Sequence, residues 1–372
     1  MAKPPSLLKD SSFMKLWVGQ SISVFGSQFS PLAIGTIAVL TLKATSFELG
    51  VLGFLNTIAF LSLGLLVGVW TDRHRRRRIM IMADFGRSLV LFSIPVSAVL
   101  YGVTMNLLYA VTFVAGVLTC FFEIAYQAYL PSLVEKSQII DANGKLEATR
   151  SLAGAAGPST AGLAIKLISA PLAVLGDTLG YLVSSFSLLW IKKPEVINSD
   201  PRKSTWHDVR EGLSLVFGDP RLKAIATTTA AFNLFNSAYG AILLKYLYDD
   251  LLMSPVEVGL AFGIGSLGGV FGALLAGRFI KSLGVGMSIV LGATLGGVFM
   301  IAIYYATPTD AFIILAVAQF LTLFGVLIYN IPQLSYRQAL VPREVQGRMN
   351  ATMRTIVWGV IPIGNLLGGL VG

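Results

Sequence analysis

The chain has 372 residues, 55% of them hydrophobic and only 13% charged, with a mean hydropathy of +0.74 and a formal net charge of +9. A soluble domain covers its surface with roughly 25% charged residues, so an aqueous globular body is excluded. A single cysteine, Cys120, excludes a disulfide framework, and two distant histidines, His74 and His207, give no expectation of a metal site.

In chain order, the start holds Lys3, Lys9 and Asp10 rather than a short apolar run with a cleavage site, so no removable signal peptide is expected. Eleven apolar segments follow, at about 16–42, 47–70, 79–101, 107–130, 147–169, 172–191, 224–247, 256–277, 287–306, 311–335 and 352–372. Their lengths suit helices crossing a hydrocarbon core of about 30 Å and exceed the roughly ten-residue alternating strands of a β-barrel. With the amino terminus in the cytoplasm and the segments alternating, 24 of the 28 Lys and Arg fall on the inner side, while the outer turns hold only Lys43. That asymmetry predicts a multi-pass protein of the cytoplasmic (inner) membrane with a cytoplasmic amino terminus. The run Arg73-His74-Arg75-Arg76-Arg77-Arg78 lies between two apolar segments. It therefore reads as an orientation signal against anionic lipid, and no nucleic-acid partner is expected.

The chain repeats itself. Gln127-Ala128-Tyr129-Leu130-Pro131 resembles Gln338-Ala339-Leu340-Val341-Pro342, and Arg150 precedes Pro158 by the same eight residues that separate Arg354 from Pro362. Two six-helix halves explain the repetition, and such duplication builds a central site in many transporters. The expected organisation is an N-terminal bundle over 1–191, a cytoplasmic linker over 192–223 and a C-terminal bundle over 224–372. Val209, Leu213, Val216 and Phe217 fall at helical spacing among polar residues, which predicts an amphipathic helix in the linker. Twelve spans are expected of two such halves and eleven are seen up to Gly372, so the C-terminal bundle reads as five spans, apparently truncated.

The loop Gly68-Val69-Trp70-Thr71-Asp72-Arg73, with its basic run, resembles motif A of the major facilitator superfamily. Gly154-Ala155-Ala156-Gly157-Pro158-Ser159-Thr160-Ala161-Gly162 is similar to the Gly-Pro motif of drug antiporters. Phe13-Met14-Lys15-Leu16-Trp17-Val18-Gly19-Gln20 and Asp84-Phe85-Gly86-Arg87 are similar to the branch of enterobactin exporters and macrolide-efflux proteins. The resemblance implies an all-α integral membrane fold of two six-helix bundles. It also implies a gating loop formed by Gly68, Asp72, Arg73, Arg76 and Arg77, with Asp72 facing the eleventh helix near Asn350. There are departures: the fourth span carries Glu123 in place of a basic residue, and Lys281 follows Gly277 where motif A places Asp.

Ionisable groups in hydrocarbon cost roughly 3 kcal/mol or more, so each is a candidate site. Here they collect in the N-terminal half, as Asp84 and Arg87 on one helix face, Glu123, Arg150 and Asp177. Burial disfavours the charged carboxylate, which lets such a group load and release a proton near neutral pH. Glu123 is the first proton-coupling candidate and Asp177 the second; the structural alternatives are pairs of Glu123 with Arg150, Asp177 with Lys166, and Asp84 with Arg87. By the resemblance, the first, fourth, seventh and tenth spans line a central cavity, whose candidate polar groups are Gln20, Gln28, Asn233, Asn236, Gln319 and Asn330. Phe25, Phe232, Phe235 and Tyr239 are their aromatic neighbours. Gly154, Gly157, Pro158 and Gly162 form the antiporter-type motif, and the glycines of the eighth span read as packing contacts.

The expected function is proton-coupled export of a small amphipathic molecule by a monomer that needs no cofactor beyond an ion gradient. A solute importer of the same fold, and a non-transporting or truncated membrane module, are the alternatives. Nothing in the sequence forms a nucleophilic triad or a phosphate loop, so no enzyme is expected.

Overall fold

The computed structural model describes residues 7–195, 205–342 and 345–372, and within these it leaves aside the side chains of a few helical residues, Asp72, Trp206, Asp208 and Val209 among them. The linker residues Arg202 and Lys203, and the inner-side Arg343, lie outside the described residues. All regular structure among the described residues is helical. The chain forms two compact units, Met1–Asp200 and Pro201–Gly372.

In the first unit, Asp10 opens α1 (Ser11–Gly26) by accepting from the backbone N–H groups of Ser12 and Phe13 at 2.8 and 3.2 Å. This satisfies two donors that have no partner inside the helix. α2 (Phe29–Thr36) continues into a π-helical turn at Ile37–Thr41, and Lys43 then adopts φ 54°. Thr45 and Glu48 form a reciprocal capping box at the start of α3 (Ser46–Arg73). α4 (Arg76–Leu100), α5 (Met105–Leu133), α6 (Ile139–Ile168), the single turn α7 (Ala170–Ala173) and α8 (Leu175–Leu189) complete the bundle. Phe13, Leu16, Met80, Phe122, Tyr129, Leu133 and Leu188 make its core near the basic loops. The cations there close helix ends. Lys15 donates to Trp190 O at 3.0 Å, Lys193 donates to Leu133 O, and Arg77 donates to Ile191 O. Positive charge at a C-terminus both satisfies free carbonyls and opposes the negative end of the helix dipole.

The second unit begins with α9 (Thr205–Gly218), a helix within the segment 192–223. It lies on α10 (Pro220–Lys245) and α13 (Gln346–Val371). Val216 is buried with Leu222, Ala226, Met349 and Met353, and Glu211 pairs with Arg348 at 2.7 Å. α11 (Pro255–Val298) is continuous except at Gly284, whose φ of 78° and ψ of 167° break it into two arms. A 3₁₀ stretch (Phe299–Tyr305) and α12 (Ala311–Leu340) follow.

The two units repeat at a constant interval of 209 residues through their first two helices. Asp219 caps α10 as Asp10 caps α1, a second π-helical turn lies at Tyr246–Asp250, Leu252 repeats the positive φ of Lys43, and Ser254 with Glu257 repeats the capping box. Among the described residues, eight helical stretches are long and apolar enough to cross a membrane. The eleven expected segments exceed this by three for identifiable reasons. Those at 147–169 and 224–247 lie on α6 and α10, which are not among the eight, and those at 256–277 and 287–306 run together as one stretch, Pro255–Tyr305.

Candidate functional site

The motif-like loop joins α3 to α4. Its Asp72 side chain lies outside the described residues, and Gly68 faces open space in the first unit. Arg76 donates to Ala128 O at 3.3 Å, while Arg77 binds Ile191 O through its guanidinium and Glu195 through its backbone N–H at 3.2 Å. Two of the arginines therefore tie the start of α4 to α5 and to the chain leaving α8, and Arg73 stays exposed. His74 stacks on Trp70, with ring centroids 4.3 Å apart.

Asp84, Arg87 and Asp177 come together in the dry interior of the first unit, 0%, 4% and 3% exposed. Arg87 is bonded to Asp84 and lies between two rings, 4.4 Å from the centroid of Phe122 and 4.0 Å from that of Tyr181. The second oxygen of Asp84 accepts from Ser184 Oγ at 2.6 Å, and Ser184 in turn accepts from Gln20 Nε2 at 2.8 Å. Arg87 also reaches Thr119 Oγ1 at 3.4 Å. Asp177 feels the charge of Arg87 and faces Ser30 and Tyr181, yet its Oδ1 has no hydrogen-bond partner among the described residues. Arg87 pairs directly with Asp84 alone, and Asp177 lies within the field of that guanidinium without an ion pair to it. Gln20 is a strut of this cluster, not a free cavity-lining group.

Sequence reading missed Tyr181 and Ser184. The spacing of Asp177, Tyr181 and Ser184 sets three polar groups on one face of α8, and that pattern could have found them. Asp177 does not meet Lys166, which is exposed.

Glu123 and Arg150 make no direct bond to the cluster, although the charge of Glu123 reaches Asp84. They approach each other at 4.0 Å with side chains 31% and 45% exposed, and Arg150 also reaches Glu147 at 4.0 Å. Arg150 and Glu147, but not Glu123, line a cavity of about 450 Å³ between α5 and α6 together with Tyr126, Gln127 and Asn143. In the Gly-Pro segment of α6, Gly157 leaves room for Gln28, whose Cγ would stand 2.3 Å from a Cβ there. Gly154 faces open space, Gly162 is buried, and Pro158 sits inside the helix.

In the second unit, Asn233 and Asn330 line one cavity of about 120 Å³ with Phe232 and Tyr329. Gln319 instead packs on Gly265 of α11, and Asn236 is exposed on α10.

Residues 16–364 match the model of the Major Facilitator Superfamily. The chain belongs to this superfamily. It is 24% identical over 367 residues to macrolide efflux protein A of Streptococcus pyogenes, covering 96% of this chain and 88% of that protein. It is 25% identical over 348 residues to the multidrug efflux pump Tap of Mycolicibacterium fortuitum, with 89% and 82% covered. It is 24% identical over 375 residues to an enterobactin exporter of Shigella boydii, with 98% and 86% covered. Among solved structures, a bacterial homologue of the iron transporter ferroportin in its inward-facing state aligns with a TM-score of 0.74 at 18% identity, covering 98% of this chain and 92% of that one. The fold is that of a major facilitator transporter, and the protein is a multi-pass membrane transporter rather than an enzyme.

Proposed function

We propose that this transporter exports small amphipathic molecules by alternating access, coupled to protons, from the cytoplasmic membrane with its amino terminus inside. The names of the relatives support efflux, and the observation that carries proton coupling is the buried cluster of Asp84, Asp177 and a single Arg87. With both acids ionised the cluster holds one uncompensated negative charge away from water, a costly state that one proton relieves. Asp84 is already committed to Arg87 and Ser184, so Asp177 is the group that takes the proton. Glu123, half open beside Arg150, becomes the second candidate, acting where solvent and substrate enter. The protein works as a monomer with no cofactor but the gradient.

The test uses everted vesicles energised to an acid interior, a panel of dyes, macrolides and siderophores, and a probe of lumenal pH. Substrate should trigger proton release from the lumen in the wild type and in Glu123→Gln, and not in Asp177→Asn. Full coupled transport by Asp177→Asn would overturn the assignment, and loss only in Glu123→Gln would return the proton to that residue.

A further inference from the structure

In the first unit, α1 and α8 meet on small residues, in antiparallel order. A Cβ on Gly19 would stand 2.6 Å from Ser187 Cβ, and one on Gly26 would stand 2.6 Å from Gly176 O. Backbones this close set the larger side chains to either side of the seam, where they form the walls of a groove. At the Ser11 end of α1 the groove encloses about 530 Å³, walled by Met14 and Val18 from α1 and by Val183, Phe186 and Trp190 from α8 and its end. These walls are turned outward: Val18 is 48% exposed, Phe186 54% and Trp190 67%. Apolar exposure alone is what any lipid-facing helix shows. The end of the groove is what makes this one a site.

Lys15 lies in the lining there. Its Nζ donates to Trp190 O at 3.0 Å, and an ammonium carries three donors, so two remain. The Ser11 hydroxyl and the Trp190 indole N–H, on two further lining residues, make no hydrogen bond among the described residues. The chain adds charge on both sides, with exposed Lys9 just before Ser11 and exposed Lys192 just after Trp190. No Asp or Glu lines the groove among the described residues, and Asp10, next to Ser11, is engaged in capping α1. An apolar trough with a cationic, donor-rich mouth is complementary to an anionic amphiphile.

The length of the apolar strip narrows the choice. Leu179, Val183, Phe186 and Trp190 recur at helical spacing on one face of α8, and all four are exposed. The rise from Trp190 back to Leu179 is about 16 Å at 1.5 Å per residue. Half of a hydrocarbon core is about 15 Å, so the strip runs the depth of one leaflet. Its cations then stand at headgroup level, and Trp190 stands at the interface where indole rings concentrate.

We infer that this groove binds one phospholipid with an anionic headgroup, its phosphate on Lys15 and an acyl chain in the seam between α1 and α8. Basic pockets between membrane helices on the cytoplasmic side hold anionic headgroups in this way. The choice of the cytoplasmic leaflet rests on the orientation proposed above; the binding itself does not. The lipid adds a third tie where Lys15 bonds Trp190 O and Ser187 Oγ donates to Lys15 O, so binding should also raise the melting temperature.

The experiment titrates the full chain, delipidated in a mild detergent, with dioleoylphosphatidylglycerol and separately with dioleoylphosphatidylcholine, and counts bound lipid by native mass spectrometry. A saturable equivalent of the phosphatidylglycerol is expected, held about fivefold or more tightly than the phosphatidylcholine, the factor that one basic residue contributes at an anionic surface. Lys15→Gln should lose that preference, and Lys15→Arg should keep it. Val183→Trp fills the trough without touching a charge and should remove the saturable equivalent. Lys281→Gln, which takes an exposed lysine from the second unit, should bind as wild type. Melting temperatures without added lipid report folding; should Lys15→Gln melt early, Lys15→Arg and Val183→Trp decide. Equal uptake of the two lipids, uptake without saturation, or the same loss in Lys281→Gln would overturn the inference. A protein dimer that Val183→Trp breaks would overturn it too, and would give the groove to a second copy. Neither substrate nor gradient enters the titration, so failure here leaves the vesicle result for proton coupling standing, and the converse holds.

Discussion

Arg87 answers two needs at one position, charge for Asp84 and a planar cation for the faces of Phe122 and Tyr181. Removing one partner of a buried pair leaves the other uncompensated, at a cost of about 3–5 kcal/mol. Arg87→Met should therefore lower thermal stability in detergent sharply, and Asp84→Asn added to it should recover a large part of the loss. Equal melting temperatures for the single and double variants would show that the pair does not carry the bundle. Arg87→Lys keeps the charge but not the planar stacking, and should fall between wild type and Arg87→Met. Outside the membrane, Asp219 is held below the usual carboxylate range by the hydrogen bonds of the Arg221 side chain and then its backbone N–H. A folded-state value below the unfolded one gives stability that is present above about pH 3.9 and lost as pH falls through the folded value. Protection of the amides at the start of α10, taken relative to their intrinsic exchange rate at each pH, should fall below about pH 4 in the wild type. In Asp219→Asn, which still caps but does not titrate, it should show no such pH step.

At the scale of elements, helix contact in this protein is built on glycine, and only some glycines bear it. A Cβ on Gly116 would stand 2.4 Å from Asn56 O between α5 and α3, one on Gly268 1.9 Å from Phe320 O between α11 and α12, and one on Gly368 2.1 Å from Ala238 O between α13 and α10. Backbones approach this closely because lipid offers no hydrophobic drive and dispersion must hold the helices together. The Gly-Pro segment allows a sharp comparison. Gly157→Ala should overpack against Gln28 and cost about 1–3 kcal/mol, whereas Gly154→Ala should be neutral or stabilising by up to about 1 kcal/mol. Yield of monodisperse protein and its melting temperature check both. The all-helical membrane fold was legible in the sequence, since long apolar runs and their breakers need no tertiary information, although the eleven segments were not all separate spans. The faces were not. Glu123 looks deep when residues are counted along a helix, but depth along the axis does not say which way a side chain points, and it is Asp177 that enters the core. Gln20 and Asn233 look alike in sequence, and only packing separates the strut from the cavity wall.

The molecule is built from two helical units whose first helices repeat at an interval of 209 residues. Orientation is the property that belongs to this scale, because no single residue decides it. Lys and Arg concentrate in alternate connections, with Arg73, Arg75 and Arg78 exposed between α3 and α4, and only Lys43 in the connection before it. Anionic lipid and the insertion machinery both retain such residues on the cytoplasmic side. The native thiol, Cys120, is buried, so the wild-type chain gives a quiet background for labelling. Single cysteines at Lys43 and at Tyr101, which is 88% exposed after α4, should react with a membrane-impermeant maleimide in intact cells. A cysteine at Arg75 should react only in everted vesicles. The reverse pattern would invert the molecule and move the arginine loop to the outer face. Lys43 and Arg75 reacting from one side would break the alternation itself, because α3 would then not cross the bilayer between them.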